Sequence, residues 1–293
     1  MTVSANGEGW GKGKFGFRAV MSLPGAAVTL VLILFALGLV FFLGFRINDG
    51  SLMGRGFSFG NFKALFTDDL YATVIFRSLI ISGLVTLATV VSAYPVAYFL
   101  AFHAGRWRGI ILFLVTLPFW TSYLLRVFAW KVVLAYNGVL NSALMSLDVI
   151  SEPLLVFLNT PAAVVVTLAH AYAPFAILPI FVALQTIPGS LLEAASDLGA
   201  HPLHTFRRVV LPMSMPGVLA AALVVFVPTI GDYVTPSMVG GPASTMIGTL
   251  IKAQFGKAND WPFGAALSIA TMLVILALVM LVKLADRKFG SRT

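Results

Sequence analysis

Apolar residues along this chain come in long unbroken runs rather than in a stripe at helical or strand spacing. Residues 26–45 carry no charge, and uncharged or nearly uncharged runs follow at 78–102, 109–130, 154–187, 209–231 and 263–282. A helix of ~20 residues rising ~1.5 Å per residue crosses a hydrocarbon core, so the pattern predicts six membrane-spanning helices within a unit of residues 23–285. The fourth run is longer than one helix needs, which predicts that part of 154–159 lies outside the span. Residues 1–22 are polar and glycine-rich and read as a flexible leader; residues 286–293 read as a short tail. A basic leader before an apolar run has the layout of a signal peptide, but no small-residue cleavage site follows, so 26–45 is expected to stay as an anchor.

One polar interruption stands out between the fourth and fifth runs. Residues 193–212 read EAASDLGAHPLHTFRRVVLP. Pro188 and Gly189 end the preceding helix. Ser190 and Glu193 stand in the S-x-x-E relation of a capping box, which predicts a new helix start there. Leu191, Ala195 and Leu198 form a short apolar stripe, with Glu193, Ser196 and Asp197 off it. Gly199 is placed to stop that helix at its C′ position, and Pro202 suits the first turn of a second helix carrying Phe206, Arg207 and Arg208 up to Leu211 and Pro212. Ala194, Ala195 and Gly199 are small enough to let another protein surface approach closely.

Composition agrees with the run pattern. Hydrophobic residues make up 59% of the 293 and charged residues 10%, where soluble domains carry roughly a quarter charged. With no cysteine, disulfides, thiol nucleophiles and Cys-ligated metals are excluded. The net charge of +8 sorts by membrane side. With the N-terminus inside, the inner segments hold Lys12, Lys14, Arg18, Arg106, Arg108, Arg207, Arg208, Lys283, Arg287, Lys288 and Arg292. The outer segments hold fewer basic residues and most of the acids, among them Asp49, Asp68, Asp69, Asp148, Glu152, Asp232 and Asp260. The excess of Lys and Arg therefore puts both termini and the 188–212 loop in the cytoplasm, and nucleic acid is not needed to explain the charge. Gly7, Gly11 and Lys12 come close to a P-loop, but the spacing is short and Gly13 stands where Ser or Thr is required, so a nucleotide site is rejected. Metal-ligand spacings and a nucleophile elbow are lacking too, which leaves enzyme chemistry without support.

The pattern Glu193-Ala194-Ala195, then Gly199, then Leu211-Pro212 resembles the cytoplasmic loop motif of binding-protein-dependent ABC importer permeases. Val209 stands where that family often has Ile. The resemblance implies an all-α integral membrane protein of the type I importer permease kind, with six transmembrane helices and a cytoplasmic coupling helix. By the same resemblance Glu193, Ala194, Ala195, Leu198, Gly199 and Arg207 dock on an ATPase subunit. It also implies a second permease, a homodimer of ATPase subunits that binds the ATP and Mg²⁺, and an extracytoplasmic substrate-binding protein. This chain would hold no cofactor and sit among lipid in the bacterial inner membrane. Tyr94-Pro95-Val96-Ala97-Tyr98, Leu117-Pro118-Phe119-Trp120-Thr121-Ser122, Asn137-Gly138 with Asn141, Gly231-Asp232-Tyr233 with Pro236, and Asp260-Trp261-Pro262-Phe263-Gly264 look like the spermidine/putrescine branch. Relatives carrying other small solutes, such as amino-acid derivatives or metal chelates, share these segments. A channel or scaffold without an ATPase is the rival from another class, and such a protein has no use for the loop.

Ionisable residues within the runs need an account, since a charge at mid-bilayer costs roughly 2.5 to 3.5 kcal/mol. Arg126, expected near the outer end of the third span, either snorkels to the interface or pairs with Asp232 at similar depth in the fifth. His170 is expected to hydrogen-bond a neighbouring helix. Pro95, Pro118, Pro174 and Pro228 are placed to loosen their helices. Ammonium groups are drawn to aromatic faces, which makes Trp120, Tyr123, Tyr172 and Tyr233 candidate pathway residues beside Arg126 and Asp232. Trp130 and Trp261 fit an interfacial aromatic belt.

Overall fold

A computed structural model describes the backbone of residues 12–290 and the side chains of residues 25–281. The leader residues 1–11, including Gly7 and Gly11 of the P-loop-like stretch, and the last tail residues 291–293 lie outside the described residues. Helix α1 (Lys12–Gly44) begins inside the stretch expected as leader and continues through the first apolar run. A two-stranded antiparallel hairpin, β1 (Arg46–Ile47) and β2 (Arg55–Phe57), follows. It is a small addition to an otherwise all-helical chain. Helix α2 (Gly60–Thr67) leads to α3 (Asp69–Phe102), which starts well before the uncharged run because Asp68 caps it, accepting from the Leu70 N–H at 2.9 Å.

The third run departs from expectation. Residues 109–130 are not one straight span. Helix α4 (Arg108–Thr116) passes into a 3-10 turn at Leu117–Trp120, and α5 (Tyr123–Val133) then sets off at 90° to it. Pro118 supplies no N–H to continue the helix. Thr121 and Ser122 are extended, and the Thr121 hydroxyl closes on the Pro118 carbonyl at 2.7 Å.

Helix α6 (Val139–Ser146) precedes α7 (Pro161–Gln185), whose start leaves 154–159 outside the helix as expected. Thr160 caps α7, and Pro161 fills a first-turn position where no N–H is needed. The loop holds α8 (Gly189–Asp197) and α9 (Pro202–Thr205), and a π-helical segment at Phe206–Val210 feeds α10 (Leu211–Ile230). Short helices α11 (Val234–Val239) and α12 (Ile247–Phe255) precede α13 (Trp261–Gly290), which runs on into the stretch expected as tail. Among the described residues five helices are long and apolar enough to cross a membrane, and the bent α4–α5 pair, counted as one span, makes six.

The core lies where α3, α7 and α10 meet. Its contacts are made largely by small side chains, Ala93 and Ala97 on α3, Ala163 and Ala176 on α7, and Ala221 on α10, with Leu100, Leu168, Ile180 and Leu184 filling between them. In lipid, where burial from water does not drive helices together, close backbone approach of this kind is what holds them. At Gly217 of α10 a Cβ would lie 2.7 Å from the Pro179 carbonyl oxygen and would also strike the Ala183 side chain, so α10 touches α7 there without a spacer.

Candidate functional site: an exposed loop and two broken helices

The 188–212 loop has an inner and an outer face. Leu192 and Phe206 turn inward and pack on the core, whereas Glu193, Ala194, Gly199 and Arg207 are exposed and Leu198 is 88% exposed. Ala195 is half-buried. The turn between α8 and α9 forms as expected: Gly199 has φ +72°, its N–H donates to the Ser196 carbonyl, and the Ala200 N–H reaches back to the Ala195 carbonyl at 3.0 Å. That is a Schellman closure, and it requires the left-handed residue that glycine supplies. The capping box does not form. Pro188, extended at ψ 132°, occupies the N-cap, so the helix starts at Gly189 and Ser190 already lies within its first turn. The apolar stripe also differs in direction: Leu191 and Leu198 look outward, and Leu192 is the residue that anchors α8.

The second part of the site lies where the break in the third run meets the break after α10. Gly231 ends α10, and Asp232, only 8% exposed, turns its carboxylate onto the start of α11. Oδ1 accepts from the Val234 N–H at 3.0 Å and Oδ2 from the Thr235 N–H at 3.3 Å. Across the joint the Tyr123 hydroxyl, at the start of α5, donates to Asp232 Oδ2 at 2.8 Å. The Thr235 hydroxyl, 2.7 Å away, then has the Tyr123 oxygen to donate to. Gly248 of α12 closes the joint from behind, since a Cβ there would run into the Gly231 and Asp232 carbonyls.

Arg126 and Asp232 do not pair. Arg126 Nη1 donates to the Ala171 carbonyl of α7 at 3.0 Å and Nη2 to the Thr121 carbonyl at 3.3 Å. Its guanidinium therefore ties α5 to mid-α7 and to the break itself. Asp232 already has three donors and needs no cation. One turn along α5, Trp130 Nε1 donates to His170 Nδ1 at 3.1 Å, so His170 bonds a neighbouring helix as expected, and Trp130 serves the same seam rather than standing alone in a belt. Of the other candidates, Tyr172 is half-buried, Trp120 is 78% exposed at the break, and Tyr233 is 40% exposed with Lys252 Nζ 4.4 Å from its ring centroid. Thr235 and Lys252 were not among the sequence candidates. Thr235 stands three residues after Asp232, a spacing that could have flagged a capped helix start; for Lys252 no local signal exists.

The site thus has two parts, an exposed loop and a joint between two broken helices. Residues 93–291 match the family described as the binding-protein-dependent transport system inner membrane component. The chain belongs to this family and is an inner-membrane permease subunit. It is 38% identical over 256 residues to the spermidine/putrescine transport system permease protein PotB of Haemophilus influenzae, covering 85% of this chain and 88% of that one. With PotB of Escherichia coli strain K12 it shares 39% identity over 235 residues, covering 80% and 84%. Its fold is that of a chain in the crystal structure of a bacterial ABC transporter involved in the import of the acidic polysaccharide alginate, with TM-score 0.71, 18% identity, and 94% and 99% of the two chains covered.

Proposed function

We propose that this permease forms half of a translocation pathway for polyamines and is driven through its 188–212 loop by a separate ATPase. The observation that carries the reading is the outer face of the loop, where Glu193, Ala194, Leu198, Gly199 and Arg207 are exposed on a segment anchored from behind by Leu192 and Phe206. The partners are a second permease, an ATPase homodimer that binds ATP and Mg²⁺ in place of this chain, and an extracytoplasmic protein that delivers the substrate. Both termini face the cytoplasm, as the excess of basic residues at the loop end supports. The substrate class follows from the PotB relatives and from the aromatic groups at the joint. The Tyr233 face already accepts an ammonium, that of Lys252, and an ammonium on an aromatic face gains about 0.5 to 2 kcal/mol.

Expressed with its partner subunits in a host lacking other polyamine importers, the chain should restore uptake of labelled putrescine or spermidine. Uptake of neither, with another small solute carried instead, would overturn the substrate reading and leave the permease reading intact. Orientation has its own test, made clean by the lack of native cysteine. Ser151 and Ser196 are both exposed. In intact cells Ser151→Cys should react with an impermeant thiol reagent and Ser196→Cys should not, and the reverse pattern would put the loop on the wrong side for an ATPase.

A further inference from the structure

The loop is held to the bundle by more than its chain ends. The Phe206 ring stands edge-on to Tyr94 of α3, with centroids 5.7 Å apart and planes at 89°, and to Tyr98 one turn on, at 6.0 Å and 76°. Phe102 backs Tyr98 from its own helix at 5.0 Å. The Tyr94 hydroxyl lies 2.8 Å from the Oγ of Ser214, which is buried in the first turn of α10. Since the Ser214 hydroxyl donates to the Leu211 carbonyl at 3.1 Å, Tyr94 is the donor of the pair. Phe206 itself opens the π-helical segment, a wide turn of a kind frequent at functional sites. Edge-to-face aromatic pairs hold a preferred geometry beyond simple burial, so this is a directional grip on the loop.

Chain connectivity alone would pass a push on α8 to α7 and α10. Helix α3 has no covalent link to the loop; besides its packing on α7 and α10, it meets the loop directly through this clasp. At its other end α3 reaches the joint: the Ser78 hydroxyl accepts from the Ile247 N–H at 2.7 Å, and Arg77 donates to the Pro242 carbonyl at 3.0 Å. Ile247 starts α12, whose next residue, Gly248, lies against the Gly231 and Asp232 carbonyls. A continuous set of contacts thus runs from the loop to the broken helices.

We infer that Phe206 is a positioning residue through which the loop drives α3, and that α3 carries the displacement to the joint around Asp232. This rests on the loop being the ATPase docking surface. Spatial continuity becomes a mechanism only when energetic coupling along it is demonstrated. The test uses the whole transporter in proteoliposomes with its delivery protein. Phe206→Ala should keep the ATPase subunit bound and hydrolysing ATP while substrate imported per ATP falls about tenfold, within the range of coupling changes for such positions. Tyr94→Phe, which removes one hydroxyl, should lower the same ratio about threefold. The pair Tyr98→Cys with Phe206→Cys should be uncoupled until bridged by a short bifunctional thiol reagent, which should restore the ratio by replacing the aromatic contact with a covalent one. An unchanged ratio in Phe206→Ala, loss of the ATPase subunit from that variant, or a bridged pair that stays uncoupled would each overturn the inference. Failure of the docking reading would show separately, as a Gly199→Trp transporter that still holds its ATPase.

Discussion

A Gly199→Trp variant should reach the membrane at normal abundance and yet lose its ATPase subunit, the affinity falling ~30-fold or more, as for disruption at the centre of an interface. A Cβ at Gly199 meets nothing within 4 Å in this chain, so the indole collides only with whatever covers the loop. The one internal penalty is conformational: φ is +72° there, and an ordinary residue in that region costs about 1 to 2 kcal/mol. Asn tolerates left-handed backbone, so Gly199→Asn isolates that penalty and should keep most of the ATPase. Co-purification against subunit abundance reads both. If the Asn variant fails as badly as the Trp variant, turn strain is the cause. If the Trp variant still assembles, Gly199 is not at the docking surface.

The second large effect is expected at Asp232. Replacing it with Leu deprives the Tyr123 hydroxyl and the Val234 and Thr235 N–H groups of their acceptor at once, at about 1 to 3 kcal/mol for each donor left unsatisfied. Import should be lost and assembled transporter depleted. Asp232→Asn keeps one carbonyl oxygen and should be milder. A cycle of Tyr123→Phe and Asp232→Asn, read on thermal stability of the purified complex, should be non-additive by about 0.5 to 3 kcal/mol, since the two side chains share one bond. Exchanging Arg126→Asp with Asp232→Arg should not recover function. Arg126 feeds the Ala171 and Thr121 carbonyls, and a carboxylate in its place would set acceptor against acceptor. Recovery by the exchange would mean that the two charges meet in another state of the transport cycle, and would overturn the assignment of Asp232 as a helix cap held by Tyr123.

How much of this could be read from the chain follows from the range over which each feature is determined. The Gly199 turn and the start of α7 after residue 159 depend on a few adjacent residues, and both were legible. The capping box at Ser190 is also local but was misread, because Pro188 and Gly189 compete for the same helix start and Pro188, already extended, takes the N-cap. The break at Thr121 and Ser122 was hidden inside an apolar run; Pro118 was the signal, read as loosening a helix that in fact ends there. Candidate residues on both sides of the joint were found, since an ionisable or aromatic group in an apolar run is conspicuous. Their partners were not, because depth along a span says nothing of rotation about it. Arg126 and Asp232 lie at depths that invite pairing, and which partner each one faces depends on the 90° bend between α4 and α5. The grip of Phe206 on Tyr94 and Tyr98 joins helices distant in the chain, and no local pattern encodes it.

Helix α1 touches the rest of the described chain mainly along α13, its Gly44 so close to Ile269 that a Cβ there would fall 2.7 Å from the isoleucine Cδ1. Most of its apolar side chains stay uncovered. During synthesis, then, the first span leaves the ribosome long before α13, its one sizeable neighbour among the described residues, exists. This explains why it can afford so little polarity. Between residues 25 and 44 its one hydroxyl, Thr29, is silenced by the Gly25 carbonyl at 2.9 Å, and it is the most apolar of the spans. Between residues 25 and 44 it has no proline, serine or histidine, whereas α3, α7, α10 and α13 each carry at least one of them. The order in which the chain is made is written into the order in which its spans are allowed to be imperfect.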